Sequence, residues 1–251
     1  VKQIENKTPM LWVLPEMDNG EIANMFRAYY YPDKETPTKL LTEAIDSGSL
    51  KIVDKKTIDD IKTIKDLKTI IEIGMKDSEI LYVDPLNYVI SQATGSIQEQ
   101  TKAEKDFTQW LSRKIVDEKK TALIVVHNVK DPNLHRAMGL AGSASLAQQA
   151  TKVIEVRKEK KIFKEVFGKK HLTGQVISVE LWKSRGTEQH MFEPIILKAQ
   201  FNPNNMGVYI TELDADDIAN ITFYLDQEVP DKKQRDLWEF QSDLIKAIVG
   251  K

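Results

Sequence analysis

The chain has 251 residues, 41% hydrophobic and 29% charged, the balance of a globular protein with one large domain or a domain plus an appendage. Its net charge of −2 excludes a uniformly basic nucleic-acid coat, and it has no run of about 18 apolar residues to span a membrane. The absence of cysteine excludes disulfides and thiolate metal sites, and fits a reducing compartment.

The first segment, "VKQIENKTPM", lacks the apolar stretch of a signal peptide. "PMLWVLPEMD" predicts a short buried strand ending at Glu16. "NGEIANMFRAYYY" predicts a helix with Ile22, Met25, Phe26 and Tyr29 on one face. "LLTEAIDSG" reads as a helix stopped by Gly48, and "LKIVD" as a strand. "TIDDIKTIKDLKTIIEIGM" reads as one helix, with Ile61, Ile64, Leu67 and Ile71 inward and Asp59 and Asp60 near its positive end. "EILYVDPL" is a second buried strand, closed by Asp84-Pro85. "ISQATGSIQEQT" reads as a polar loop, and "KDFTQWLSRKIVDEKK" as an amphipathic helix with Phe107, Trp110, Leu111 and Ile115 inward. "TALIVVH" is a third buried strand.

Strands apolar on both faces and alternating with helices argue for a parallel sheet covered by helices. After Thr151 the pattern changes. "KVIEVRK", "QVISVELWKSR", "PIILKAQF" and "GVYITEL" predict strands without helices between them, an antiparallel extension. "KEKKIFKEVFGKKH" reads as a charged loop. "DKKQRDLWEFQSDLIKAIVGK" reads as a final amphipathic helix, from Asp231 to Lys251.

In open α/β sheets, ligands bind off the carboxyl ends of the strands. Three polar residues occupy such ends: Glu16, Asp84 and His127. One acid at a strand end is usually a turn or cap residue. Three on consecutive apolar strands place two carboxylates and an imidazole along one sheet edge, a set suited to phosphoryl chemistry. A carboxylate can hold Mg²⁺ through oxygen, a second can activate water, and an imidazole can sense the leaving phosphate. The four histidines, His127, His135, His171 and His190, show no HxxH or HExxH spacing, which speaks against a histidine metal site.

These residues carry a resemblance. "LWVLPEM", "ILYVDPLNYV", "VVHNVKDP" followed by "GLAGSASLAQQATKVIEVRK", and "LWKSRGTEQ" stand in the order of the motifs of hexameric replicative DNA helicases of the DnaB and Twinkle type, closest to the phage helicase–primase branch. The ordered set covers Pro9 to about Tyr209. The resemblance implies a RecA-like core over residues 1–225, with antiparallel strands in its C-terminal part, and a helical extension over 226–251. It implies ATP and Mg²⁺ as cofactors, single-stranded DNA and a homohexamer as partners, and 5′–3′ unwinding. A primase, a loader or a polymerase would be a further partner. The cytoplasm of a bacterial or phage-infected cell, or an organelle's matrix, would be its location.

The resemblance also implies roles. Glu16 would polarise water, Asp84 would be the Walker B aspartate on Mg²⁺, and His127 would sense the γ-phosphate. Lys183 and Arg185 would reach the ATP site of a neighbouring subunit, where trans-acting cations stabilise transition-state charge. In the loop after His127, Lys130, His135 and Arg136 would meet DNA phosphates. Gly139, Gly142 and Ser143 would let main-chain N–H groups approach them, aided by the positive end of a helix at "SASLAQQA". Ser91 to Lys102 would form a second channel loop.

Three features depart from that pattern. No G-x-x-x-x-G-K-[ST] string is present to cradle phosphates, so the resemblance puts Val1 near the end of a Walker A helix. Either the chain belongs to a longer protein, which its non-Met start favours, or it is a degenerate ATPase. Ala141 and Thr151 stand where the family often carries arginine and aspartate. A recombinase or recombination-mediator ATPase of the same core, and a non-catalytic assembly subunit without a P-loop, remain the competing readings.

Overall fold

The computed structural model describes residues 2–30, 33, 35–94, 96–126, 144–166, 169–184, 195–202 and 207–219. The first part alternates helices and strands: α1 (Lys2–Glu5), β1 (Met10–Val13), α2 (Asn19–Tyr30), α3 (Glu35–Asp46), β2 (Leu50–Val53), α4 (Lys55–Asp59), α5 (Ile64–Met75), β3 (Ile80–Val83), α6 (Leu86–Gln92), α7 (Ile97–Asp117), β4 (Thr121–Ile124) and α8 (Ala144–Gln149). Strands follow: β5 (Lys152–Val166), β6 (Lys169–Ser184), β7 (Ile195–Asn202) and β8 (Gly207–Thr211). Residues 215–219 are helical.

The protein is α/β, with two sheets. The first has the order β2-β1-β3-β4, and all its pairings are parallel. β1 lies in the middle, with Met10 opposite both Leu50 and Ile80. Side chains alternate across a strand, so the short apolar runs feed two cores. Leu11, Val13, Leu81 and Val83 pack with Leu67, Ile71, Leu86, Phe107 and Leu111 on one face. Met10, Trp12, Leu14, Ile52 and Tyr82 pack with Ile22, Phe26 and Ala44 on the other.

Local chemistry sets the helix boundaries. Asp18 and Glu21 exchange side-chain and backbone hydrogen bonds of 2.8 and 2.9 Å at the start of α2. Asp33 accepts from the backbones of Glu35 and Thr36 at the start of α3, which lowers its carboxyl pKa, the Thr36 side-chain hydrogen bond being the largest cause. After α3 the chain reverses at Gly48, whose φ of 72° favours a residue without Cβ.

Several expectations need correction. The helix expected from Thr57 to Met75 is two helices. Thr63 opens α5 with a capping box to Asp66, and backbone propagation cannot run through an N-cap. Asp59 and Asp60 therefore close α4 instead of opening a helix, while Ile61 stays buried in the break. Met25 is 44% exposed, so it is not part of the inward face of α2. The segment from Ser91 to Lys102 is mostly helical, with α6 and α7 separated by residues 93–96 alone. β4 is not a fully buried strand: it pairs with β3 only among the described strands, and Leu123 is 55% exposed.

The second sheet has the order β5-β6-β7-β8, and β6 and β7 are antiparallel, with Ile177 opposite Leu197. The stretch from Lys158 to His171, expected as a charged loop, lies mostly in β5 and β6. Adjacent long strands satisfy each other's backbone groups, so a polar sequence can still form a ladder.

The chain divides into two compact units: Val1–Val153 with Leu181–Met191 and Asn202–Gly207, and Ile154–Glu180 with Phe192–Phe201 and Val208–Lys251. The expected boundary at residue 225 lies outside the described residues. In the second unit, Ile162, Val176, Ile196 and Leu213 form a small core. Beside it, Lys198 Nζ meets both Asp217 oxygens at 2.7 Å, and both groups are buried. Gly174 leaves room for this lysine, since a Cβ there would sit 3.0 Å from Lys198 Cε and 3.2 Å from the Ala199 oxygen.

Removing the α5 cap tests the break between α4 and α5. Thr63→Ala is expected to cost about 1 kcal/mol, the usual value of a lost N-cap, measured as a lowered urea midpoint with an unchanged slope.

Candidate active site

The strand order defines where a ligand would enter. The chain leaves β1, passes to β2 on one side, and returns to the other side of β1 as β3. The switch point is the crevice beyond the carboxyl ends of β1 and β3. Glu16 lies in the turn after β1, and Asp84 directly follows β3. The Asp84 backbone N–H donates to the Val13 carbonyl at 3.1 Å, so the two strand ends stay in register. Val125 N–H donates to Val83 at 2.8 Å, and Leu86 N–H donates to Val125 at 3.0 Å, which brings the end of β4 against the Asp84 turn.

The carboxylates on this edge differ in what they already hold. Asp18 caps α2. Asp54, after β2, accepts from Thr57 N–H at 3.0 Å and from the Thr57 hydroxyl at 2.8 Å, and the backbone bond leads in holding its pKa below the usual carboxylate range. These two acids complete helix starts. Glu16 is exposed and makes no hydrogen bond or ion pair with another described residue. Among the described residues, Asp84 accepts a single hydrogen bond, through Oδ2, from the Tyr82 hydroxyl at 2.6 Å.

Tyr82 was not singled out by the sequence motifs. The available signal is alternation: residues i and i+2 of a strand share a face, which puts Tyr82 beside Asp84. Its ring stands edge-on to Trp12 at 6.2 Å, and Trp12 lies 5.8 Å from buried Phe26. Burial, then the hydrogen bond and the charge of Asp84, push the phenol's pKa well above its ordinary value, so the hydroxyl remains a donor at neutral pH.

Among the described residues, no three His, Asp or Glu side chains gather to hold a metal. A lone carboxylate whose second oxygen accepts no hydrogen bond from a described residue fits Mg²⁺ of the kind that arrives with a nucleotide, which uses one or two carboxylates alongside phosphates and water. It does not fit an all-protein cation cage.

The other expected site residues divide into two groups. Lys183, near the end of β6, is half-buried, and its ammonium donates to the carbonyls of Ala147 and of Gln148, the latter at 3.0 Å. Those carbonyls lie in the last turn of α8, where a cation complements the helix end. Lys102 is exposed on α7, within a helix instead of a loop. His127, Lys130, His135, Arg136, Gly139, Gly142, Ser143 and Arg185 lie outside the described residues.

The chain matches no family model and no curated protein. No helix among the described residues is long and apolar enough to cross a membrane.

The contact made by Lys183 is testable by itself. Lys183→Ala is expected to speed hydrogen exchange at residues 147–150 and to cost about 1 kcal/mol, while Lys183→Arg keeps most of the protection. Unchanged exchange at those amides in Lys183→Ala would show that the lysine does not hold α8.

Proposed function

We propose that this chain is the motor core of a ring-forming, ATP-driven replicative DNA helicase with a RecA-like fold. The observation that carries the reading is the switch point itself. Glu16 and Asp84 follow neighbouring parallel strands, their ends joined by the bond from Asp84 to Val13, in the crevice where such sheets bind ligands. The ordered motifs from "LWVLPEM" to "LWKSRGTEQ" add to it.

In this reading the nucleotide's phosphates lie beyond β1 and β3. Glu16, with no helix end to serve, takes the proton of the attacking water. Asp84 presents Oδ1 to the nucleotide's cation. Mg²⁺ held there by Asp84 would supply positive charge to offset the charge developing on the phosphates. Arg185 supplies positive charge to the site of a neighbouring subunit, so that hydrolysis depends on the neighbour's position. Lys183, already bound to α8, fixes the strand end that presents Arg185. His127 follows the end of β4 and links the phosphate to the loop containing Lys130, His135 and Arg136. That loop holds the backbone of single-stranded DNA without reading its sequence.

Two variants test the roles. In the protein expressed from its full reading frame, Glu16→Gln is expected to bind ATP as before and to lose about 10²–10⁴-fold in hydrolysis. Normal turnover would remove Glu16 from the role, and the absence of any DNA-stimulated ATPase in the unaltered protein would remove the whole reading. Arg185→Ala is expected to assemble rings and bind nucleotide while DNA-stimulated turnover falls about 10³-fold or more. Unchanged turnover there would refute action across the interface.

A further inference from the structure

Asp84 has one side-chain hydrogen-bond partner among the described residues, and that partner's ring packs in an aromatic row. The Tyr82 ring is gripped from the side by Trp12, which itself packs against Phe26 of α2. The hydroxyl at the end of this aromatic row meets Asp84 Oδ2 at 2.6 Å. Because a carboxylate can only accept, the phenol must donate, and it occupies one of the two oxygens. The other oxygen, Oδ1, accepts no hydrogen bond from a described residue and remains to ligate a cation.

A free carboxylate on a flexible turn samples many orientations. One anchored through a single oxygen presents the other in a narrow range of directions, and such anchoring is the usual function of groups that hydrogen-bond a metal's carboxylate ligand. A purely structural phenol could have been supported more simply. The face it packs on is apolar, and its hydroxyl needs no more than water there. Glu16, Asp18 and Asp54 have no comparable anchor on a ring.

We infer that Tyr82 is the positioning residue that aims Oδ1 of Asp84 at a nucleotide-bound divalent cation. This rests on the nucleotide-site reading above and adds to it a residue to which the motifs assign no role. It predicts that metal affinity, more than fold stability, depends on the hydroxyl.

The test is electron paramagnetic resonance titration of Mn²⁺ with ADP, using the protein expressed from its full reading frame. Four forms are compared: unaltered, Tyr82→Phe, Asp84→Asn and Trp12→Phe. Trp12→Phe loosens the aromatic row but keeps the hydroxyl, and so controls for stability. The expected result is 10- to 100-fold weaker Mn²⁺ binding in Tyr82→Phe, near-complete loss in Asp84→Asn and nearly unchanged binding in Trp12→Phe, with ADP affinity in the absence of metal equal in all four. If Tyr82→Phe binds Mn²⁺ like the unaltered protein while Asp84→Asn does not, the positioning role is overturned and the nucleotide-site reading stands. The role is also overturned if Trp12→Phe weakens Mn²⁺ binding as much as Tyr82→Phe, since the effect is then one of packing. If the unaltered protein binds no Mn²⁺ with ADP, or Asp84→Asn binds it equally well, the nucleotide-site reading fails and the inference falls with it.

Discussion

Parallel pairing of β1 with both β2 and β3 is the constraint on which the candidate site depends. Parallel strands send all their carboxyl ends to one edge, and each needs a crossover to return. Placing the first strand between the second and third makes the crossovers leave in opposite directions, which opens a crevice at the ends of β1 and β3. The backbone bond from Asp84 to Val13 ties those ends together, so the positions of Glu16 and Asp84 follow from sheet register before any side chain is considered.

The same edge shows how one residue type serves two purposes. Helix N-termini also collect on it, because the first helix of each crossover, α2, α4 or α6, follows a strand's carboxyl end, and each leaves unpaired N–H groups. Asp18 and Asp54 satisfy such groups and are thereby committed to structure. Glu16 and Asp84 are not. The first is exposed to solvent, and the second is held by a phenol through one oxygen while the other accepts no hydrogen bond from a described residue. That difference in commitment separates the candidate chemistry from the caps better than position along the strands does.

The antiparallel part is stabilised differently. Its apolar core is small among the described residues, and it holds a buried lysine–aspartate pair. Burying two charges is costly, and bidentate contact offsets part of that cost, whereas losing either partner would leave a buried charge alone. Asp217 is held further by Asp214, whose side chain accepts from the Asp217 N–H at 2.7 Å, so the pair is fixed in one geometry. A glycine opposite the lysine stem is part of the same arrangement.

The amino-acid sequence by itself determined the class and most of the elements, because hydrophobic period is local. Runs such as "MLWV" and "ILYV" read as buried strands, Gly48 as a helix stop, and the segments after Thr151 as antiparallel strands, although as an extension of the first sheet and not as the separate sheet they form. It also marked Glu16 and Asp84, since polar residues ending apolar strands stand out. What it did not determine depended on competition between local and distant partners. The Thr63 cap divides one apolar stripe into two helices, and the pairing of β5 with β6 absorbs a charged segment that resembled a loop. Strand order, and with it the switch point, is set by long-range pairing that no window of sequence contains. The tertiary structure alone decided which carboxylates are caps, set Lys183 against the end of α8, and placed the Tyr82 hydroxyl on Asp84 within an aromatic row drawn from two strands and a helix.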